Sequence, residues 1–320
     1  MRLWDEELEG YREEARSLLE QMPVLESLDG VTDPLELAQA ARRSFDASLP
    51  EGILSDHAEP TTIPGPAGEL PVRIFRPEGP ARGLFLHLHG GGWILGKPEM
   101  NDLANEALAK HLGLAVVSVD YRLAPEHPYP AGPDDCEAAA KWLLDHGPSE
   151  FGADRMFIGG ESAGGHLTLV TALRVRDRLQ ALDRLLGLNL VFGWYDVTGT
   201  PSQRNNGGHK DVLDPENLRF MADCFLPGMT DEARRAADVS PLFADLQGLP
   251  PSLLSVGGYD HLLDDTLFLA PRLAAAGVDV ELQVYPDSPH GFQGLPSKMA
   301  AAAAERTFAW IAGVLTAAGR

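Results

Sequence analysis

Short apolar runs recur along this chain at spacings that leave room for a helix between them. Runs at 84–89, 115–121, 155–160, 186–193, 252–257 and 280–285 read as strands, with two more near 57–64 and 71–77. Helical patterns fall between them near 101–112, 133–146, 163–180 and 264–276. A last one, near 297–317, sets Ala304, Phe308, Ile311 and Leu315 on one face, the spacing of a core-facing stripe. Strand and helix in alternation predict a mostly parallel, doubly wound α/β sheet with helices on both faces. Two segments break the alternation. Residues 1–50 carry helical patterns from Trp4 to Met22 and from Pro34 to Ala47, and residues of about 195–240 interrupt the sheet between the sixth and seventh strands. Both are expected to form a helical cap over the strand ends, where open α/β sheets bind ligands. The domain reading is therefore an N-terminal cap segment, 1–50, and a catalytic domain, 51–320, with a second cap insertion at about 195–240.

Composition narrows the class. At 320 residues the chain suits one large sheet with its cap, and its two cysteines, Cys136 and Cys224, supply no disulfide framework. The segment Met1-Arg2-Leu3-Trp4-Asp5-Glu6-Glu7-Leu8-Glu9 holds no apolar signal core, and no uninterrupted run approaches the roughly 20 residues that cross a bilayer. The expectation is a cytoplasmic protein with no stable membrane anchor. A formal net charge of −21 repels phosphate-rich surfaces, so no nucleic acid and no anionic membrane is expected as a partner. The acidity reads as a solubilising surface, with salt adaptation as the alternative.

The candidate chemistry lies in the turns after the strands. Gly160-Glu161-Ser162-Ala163-Gly164 joins an apolar run to a helical pattern and reads as a nucleophile elbow, whose small flanking residues let strand and helix pack closely. Upstream, Leu84-Phe85-Leu86-His87-Leu88 runs into His89-Gly90-Gly91-Gly92-Trp93, a loop whose backbone can approach a substrate carbonyl. The N–H groups of Gly91 and Gly92, with that of Ala163, are the expected oxyanion hole, each donor worth about 3–4 kcal/mol to the transition state. His89 reads as a residue that braces this loop. An acid and then a histidine should follow the serine, each on a loop after a strand. Asp260 follows the strand 252–257, and His290 follows 280–285. Ser162, Asp260 and His290 are thus the candidate catalytic residues, with the carboxylate fixing the tautomer of the base. His166, His209 and His261 fit less well: the first lies inside the elbow helix, the second in a polar segment, and the third beside the acid. Asp264 begins a helical pattern and is expected to cap it.

Taken together these motifs resemble the hormone-sensitive-lipase-like, bacterial family IV, carboxylesterases of the α/β-hydrolase superfamily. The resemblance rests on His89-Gly90-Gly91-Gly92, Asp120-Tyr121-Arg122-Leu123-Ala124-Pro125-Glu126, Gly160-Glu161-Ser162-Ala163-Gly164-Gly165 and His290-Gly291-Phe292, in that order, and spans nearly the whole chain. It departs at His261, where members usually carry proline. The resemblance implies an α/β-hydrolase fold with an eight-stranded sheet and a serine carboxylesterase acting on short- to medium-chain acyl esters, with no cofactor and no metal. Another acyl hydrolase (amidase, arylformamidase or lactonase) is the nearest alternative, and a non-catalytic ligand receptor on the same fold is a more distant one. The partner is then a small-molecule acyl ester. The resemblance also admits a homodimer through the edge strand near 280–285, which the chain by itself does not establish. Asp120, Arg122 and Glu126 are expected to brace loops. Trp93, Trp194, Tyr195, Phe220, Met221 and Phe225 are candidates to line the cap, with Trp93 and Tyr195 the expected substrate-binding residues because they adjoin the site. Gly207-Gly208, in Asn205-Asn206-Gly207-Gly208, is the expected hinge of a mobile loop.

Overall fold

The computed structural model describes residues 3–21, 33–49, 52–205 and 213–319. Met22, His209 and the expected hinge at Gly207-Gly208 lie outside the described residues. The chain begins with α1 (Glu6–Glu9), α2 (Arg12–Gln21) and α3 (Pro34–Ser48). Asp33 opens α3 by accepting the N–H groups of Leu35 and Glu36, with Pro34 in the first helical position, where its missing N–H costs nothing. A hairpin of β1 (Glu59–Gly65) and β2 (Gly68–Phe75) follows, then β3 (Gly83–Leu88), α4 (Asp102–Leu112), β4 (Leu114–Val119), α5 (Ala131–Glu150), β5 (Met156–Glu161), α6 (Ala163–Asp177) and β6 (Leu185–Val191). Three short helices, α7 (Pro201–Arg204), α8 (Pro215–Phe225) and α9 (Asp231–Arg234), separate β6 from β7 (Ser252–Gly257). After them come α10 (Leu263–Ala275), β8 (Val280–Tyr285) and α11 (Lys298–Ala318).

The eight strands form one sheet in the order β1-β2-β4-β3-β5-β6-β7-β8. β2 runs antiparallel to β1 and β4, and every other pairing is parallel. Each residue of β3, β4, β6 and β7 is buried, as expected of parallel strands covered on both faces. Phe85, Val116, Phe157 and Leu186 face one layer, where Leu108 and Leu112 of α4 meet Ile311 and Leu315 of α11. Leu84, Leu86, Val117, Ile158 and Leu188 face the other, against Leu143 of α5, Leu167 of α6 and Leu273 of α10. From β3 the chain moves outward to β4, then returns past β3 to β5. The strand order therefore reverses between β3 and β5, and open α/β sheets bind ligands beyond the carboxyl ends of such a pair. Among the described residues no helix is long and apolar enough to cross a membrane.

Candidate active site

The turn after β5 is tight enough to dictate its sequence. Ser162 sits at φ 57°, ψ −117°, between β5 and the first residue of α6, a backbone state that an L-residue adopts only under external constraint. Part of that constraint comes from β3. A Cβ on Gly160 would lie 2.1 Å from the Leu88 carbonyl oxygen, and one on Gly164 would lie 1.9 Å from the same atom, so neither position admits a side chain. The end of β3 is thus pressed onto the elbow. The Ser162 N–H reaches the Val191 carbonyl at 2.9 Å, which ties the turn to β6 as well.

His290 and Asp260 meet this serine from loops at the ends of β8 and β7. The Ser162 hydroxyl and His290 Nε2 are 2.9 Å apart, and His290 Nδ1 is 2.8 Å from Asp260 Oδ2. With the imidazole neutral, Nδ1–H donates to the carboxylate and Nε2 accepts from the hydroxyl. Asp260 Oδ1 accepts the Leu262 N–H at 2.8 Å, closing a turn across His261 that holds the carboxylate in place. The two loops are joined directly: Gly258 N–H donates to Tyr285 O at 2.8 Å, and Tyr259 N–H to Ser288 O at 3.0 Å. Phe192, just beyond β6, packs edge-on against the His290 ring at 4.7 Å. All three polar side chains are largely buried, Ser162 being 9% exposed.

The loop after β3 lies against the elbow, where a Cβ on Gly90 would fall 3.0 Å from Glu161 O and 3.5 Å from Ser162 Cβ. Gly91 has φ 121°, and its carbonyl accepts the N–H groups of both Ile94 and Leu95, so residues 91–95 form a closed turn. A Cβ on Gly91 would fall 2.2 Å from Leu95 O. Among the described residues, the N–H groups of Gly91, Gly92 and Ala163 make no hydrogen bond within the chain. His89 braces the loop from below: Nδ1–H donates to Gly90 O at 2.8 Å, the ring stacks on Tyr121 at 4.2 Å, and the Tyr121 hydroxyl donates to His89 O. Burial pushes its pKa down to about 3. His166 is likewise held neutral, its pKa lowered by burial to about 4, with Nε2–H donating to Val239 O and Nδ1 accepting from Trp93 Nε1–H. Neither ring competes with His290 as a base.

Trp93 and Tyr195, the expected substrate-binding residues, are both packed inside the protein. Trp93 is 2% exposed, stacked on Phe225 at 4.4 Å and against Trp194 at 4.9 Å, and Tyr195 is fully buried. Their size and apolar faces make both part of the hydrophobic core. Met221 of α8 comes closer: a Cβ on Gly92 would lie 2.3 Å from its sulfur. Asp264 does not cap the helix in which it lies. That helix starts at Leu263, so the carboxylate is already inside the first turn, and it accepts the Ser202 N–H of α7 at 2.8 Å.

Three polar anchors carry no signal in the hydrophobic pattern. Asp265, fully buried, accepts from Tyr195 N, Asp196 N, Thr200 Oγ1 and Gln203 Nε2, holding the segment after β6 against α10; burial pushes its pKa up to about 7 despite these donors. Arg42 of α3 donates to the Ile94 carbonyl at 2.6 Å and to that of Ala124 at 2.7 Å, and its guanidinium pairs with both Glu126 oxygens, holding that carboxyl below its ordinary pKa. Arg122 clasps Asp135 through Nε at 2.9 Å and Nη2 at 2.8 Å. Asp120, exposed just beyond the end of β4, makes no comparable pair among the described residues.

The chain matches the family described as alpha/beta hydrolase fold over residues 85–294. It is 36% identical over 303 residues to carboxylesterase NlhH of Mycobacterium tuberculosis, covering 90% of each chain. Carboxylic ester hydrolase LipN of the same organism is 35% identical over 276 residues, 83% of this chain and 72% of its own. Among solved structures, a bacterial heroin esterase matches with a TM-score of 0.83 at 29% identity, covering 97% of this chain and 99% of its own. An esterase of Pyrobaculum calidifontis matches at 0.80 and 29%, covering 95% and 97%.

Proposed function

Because this chain belongs to the alpha/beta hydrolase fold family and is a hormone-sensitive-lipase-like carboxylesterase, we propose that Ser162, His290 and Asp260 carry out its ester hydrolysis through an acyl-enzyme. The observation that supports this most is the unbroken chain from Ser162 Oγ through both nitrogens of His290 to Asp260, at 2.9 and 2.8 Å. Ser162 Oγ attacks the ester carbonyl carbon while His290 Nε2 takes its proton, and Asp260 stabilises the imidazolium. The N–H groups of Gly91, Gly92 and Ala163 receive the charge that develops on the carbonyl oxygen. Collapse of the tetrahedral species expels the alcohol with the proton from Nε2, leaving acylated Ser162. Water then repeats the sequence, with His290 as base, to release the acid.

Residues 1–50 and the insertion at about 195–240 act as the cap on this reading, and the nearness of Met221 to Gly92 favours short- to medium-chain acyl groups. The cytoplasmic location and the homodimer belong to the same reading, to be tested by cell fractionation and sedimentation. The central test is Ser162→Ala and His290→Ala against p-nitrophenyl esters of increasing chain length. Each variant should lose kcat by roughly 10⁶ while staying folded, and the double variant should be little worse. Near wild-type turnover in Ser162→Ala would overturn the assignment.

A further inference from the structure

We propose that Asp287, gripped by Arg12 and Arg16 of α2, is a positioning unit for the His290 loop, an inference that rests on reading His290 as the base. Asp287 stands three residues before His290, on the loop after β8. Its two oxygens take a guanidinium fork from Arg12, with Nε 2.6 Å from Oδ2 and Nη2 3.3 Å from Oδ1, and Arg16 Nε adds a second cation at 2.8 Å. The carboxylate side chain is only 9% exposed, so solvent screens it less than an ordinary surface pair. Its backbone lies at φ 52°, in the left-handed region, where asparagine is tolerated as well as aspartate. Backbone geometry alone therefore gives no reason for a charge at this position, and the two arginines do.

The loop needs a second hold. On its inner side the acid loop pins it through Tyr259 N–H to Ser288 O. Among the described residues, the side-chain hold on its outer side comes from α2. That helix is itself moored to the start of α11, where Glu14 accepts the Lys298 N–H at 3.1 Å, and Arg306 of α11 pairs with Asp5, which caps α1, and with Glu7 inside it. A hydrogen-bond chain of 2.8 and 2.9 Å around one imidazole tolerates little drift, since small misplacements of reacting groups cost large factors in rate. Helix α2 thus acts on the chemistry through the loop that carries His290.

The test compares full-length wild type, Asp287→Asn, the pair Arg12→Gln/Arg16→Gln, and the pair Arg12→Lys/Arg16→Lys. Active sites are counted with a fluorophosphonate that labels the nucleophilic serine, and kcat and KM for p-nitrophenyl butyrate are expressed per labelled site. Asp287→Asn and the glutamine pair should each lower kcat about tenfold or more, leave KM within about twofold, and show no further loss when combined, as expected of groups acting as one unit. The lysine pair should recover most of the rate. Wild-type kcat in the labelled Asp287→Asn and glutamine variants would overturn the proposal, as would losses that add fully on combination. Wild-type protein that takes no label would instead overturn the reading of Ser162, and this proposal with it.

Discussion

At the scale of single residues, the assignment turns on which of three neighbouring carboxylates orients the histidine. Asp260 is bonded to His290, Asp264 holds the N–H of Ser202, and Asp265 collects four donors from the segment after β6. Asp260→Asn should preserve the fold and lower kcat by about 10⁴, because an amide in place of the carboxylate leaves the imidazole in the wrong tautomer. Asp264→Asn should keep activity within a few fold, since an amide oxygen still accepts from Ser202. The reverse pattern of rates in purified variants would shift the acid to Asp264. The order of Ser162, Asp260 and His290 was legible because each follows an apolar run, and strand ends are where such groups converge. The partners of Asp264 were not legible: Ser202 lies 62 residues away, on a four-residue helix too short to show a periodicity.

At the scale of elements, the strands and long helices were readable to within a few residues at their ends, whereas α7, α8 and α9 were not. Burial on both faces makes a central strand a continuous apolar run, and a core-facing helix repeats every three or four residues. Between β6 and β7, α7 and α9 span four residues each, too few to show a periodicity, and the place of the whole segment is set by contacts such as Met221 against Gly92 and Asp265 against the segment 195–203. Met221→Ala should raise kcat/KM for p-nitrophenyl octanoate relative to acetate by roughly tenfold, the scale of methylene discrimination in an apolar pocket. An unchanged ratio would remove Met221 from the wall. Deleting residues 1–45 takes away Arg42, which holds the Ile94 carbonyl beside the Gly91 turn, and uncovers the surface packed by Leu8, Ala15 and Ala38. The truncated protein should turn over more slowly, bind an apolar dye more strongly and prefer different chain lengths. Unaltered preference and stability would place the segment outside the pocket.

At the scale of the whole molecule, buried titratable groups tie stability to pH. His166 has its folded pKa lowered by burial from 6.5 to about 4, and both ring nitrogens are committed, one to Val239 O and one to the indole of Trp93. The stability it contributes is therefore complete above pH 6.5 and is lost as pH falls toward 4, because the unfolded chain takes up the proton first. Buried Asp265, raised to about 7, slopes the other way, so the histidine is isolated by comparison with a variant. His166→Gln should be less stable than wild type at pH 7, and its deficit in urea unfolding should shrink by about 2 kcal/mol at pH 5. A deficit independent of pH would mean that the ring is not held neutral.

The sequence by itself determined the parts of this protein that depend on local pattern: the alternation of strand and helix, the two glycine turns, and the order of the serine, acid and histidine that close the site. Only the tertiary structure decided the rest. Trp93 follows Gly92 in the chain and Tyr195 comes just after β6, and both pack into the core because large aromatic surface is buried wherever space allows. Arg12, Arg16 and Arg42 look like any solvated helix charges until the fold brings them to Asp287 and to the loop after β3. A pairing between residues 12 and 287 leaves no trace in periodicity, since that reports which face of an element is buried and not what a charged side chain will meet there.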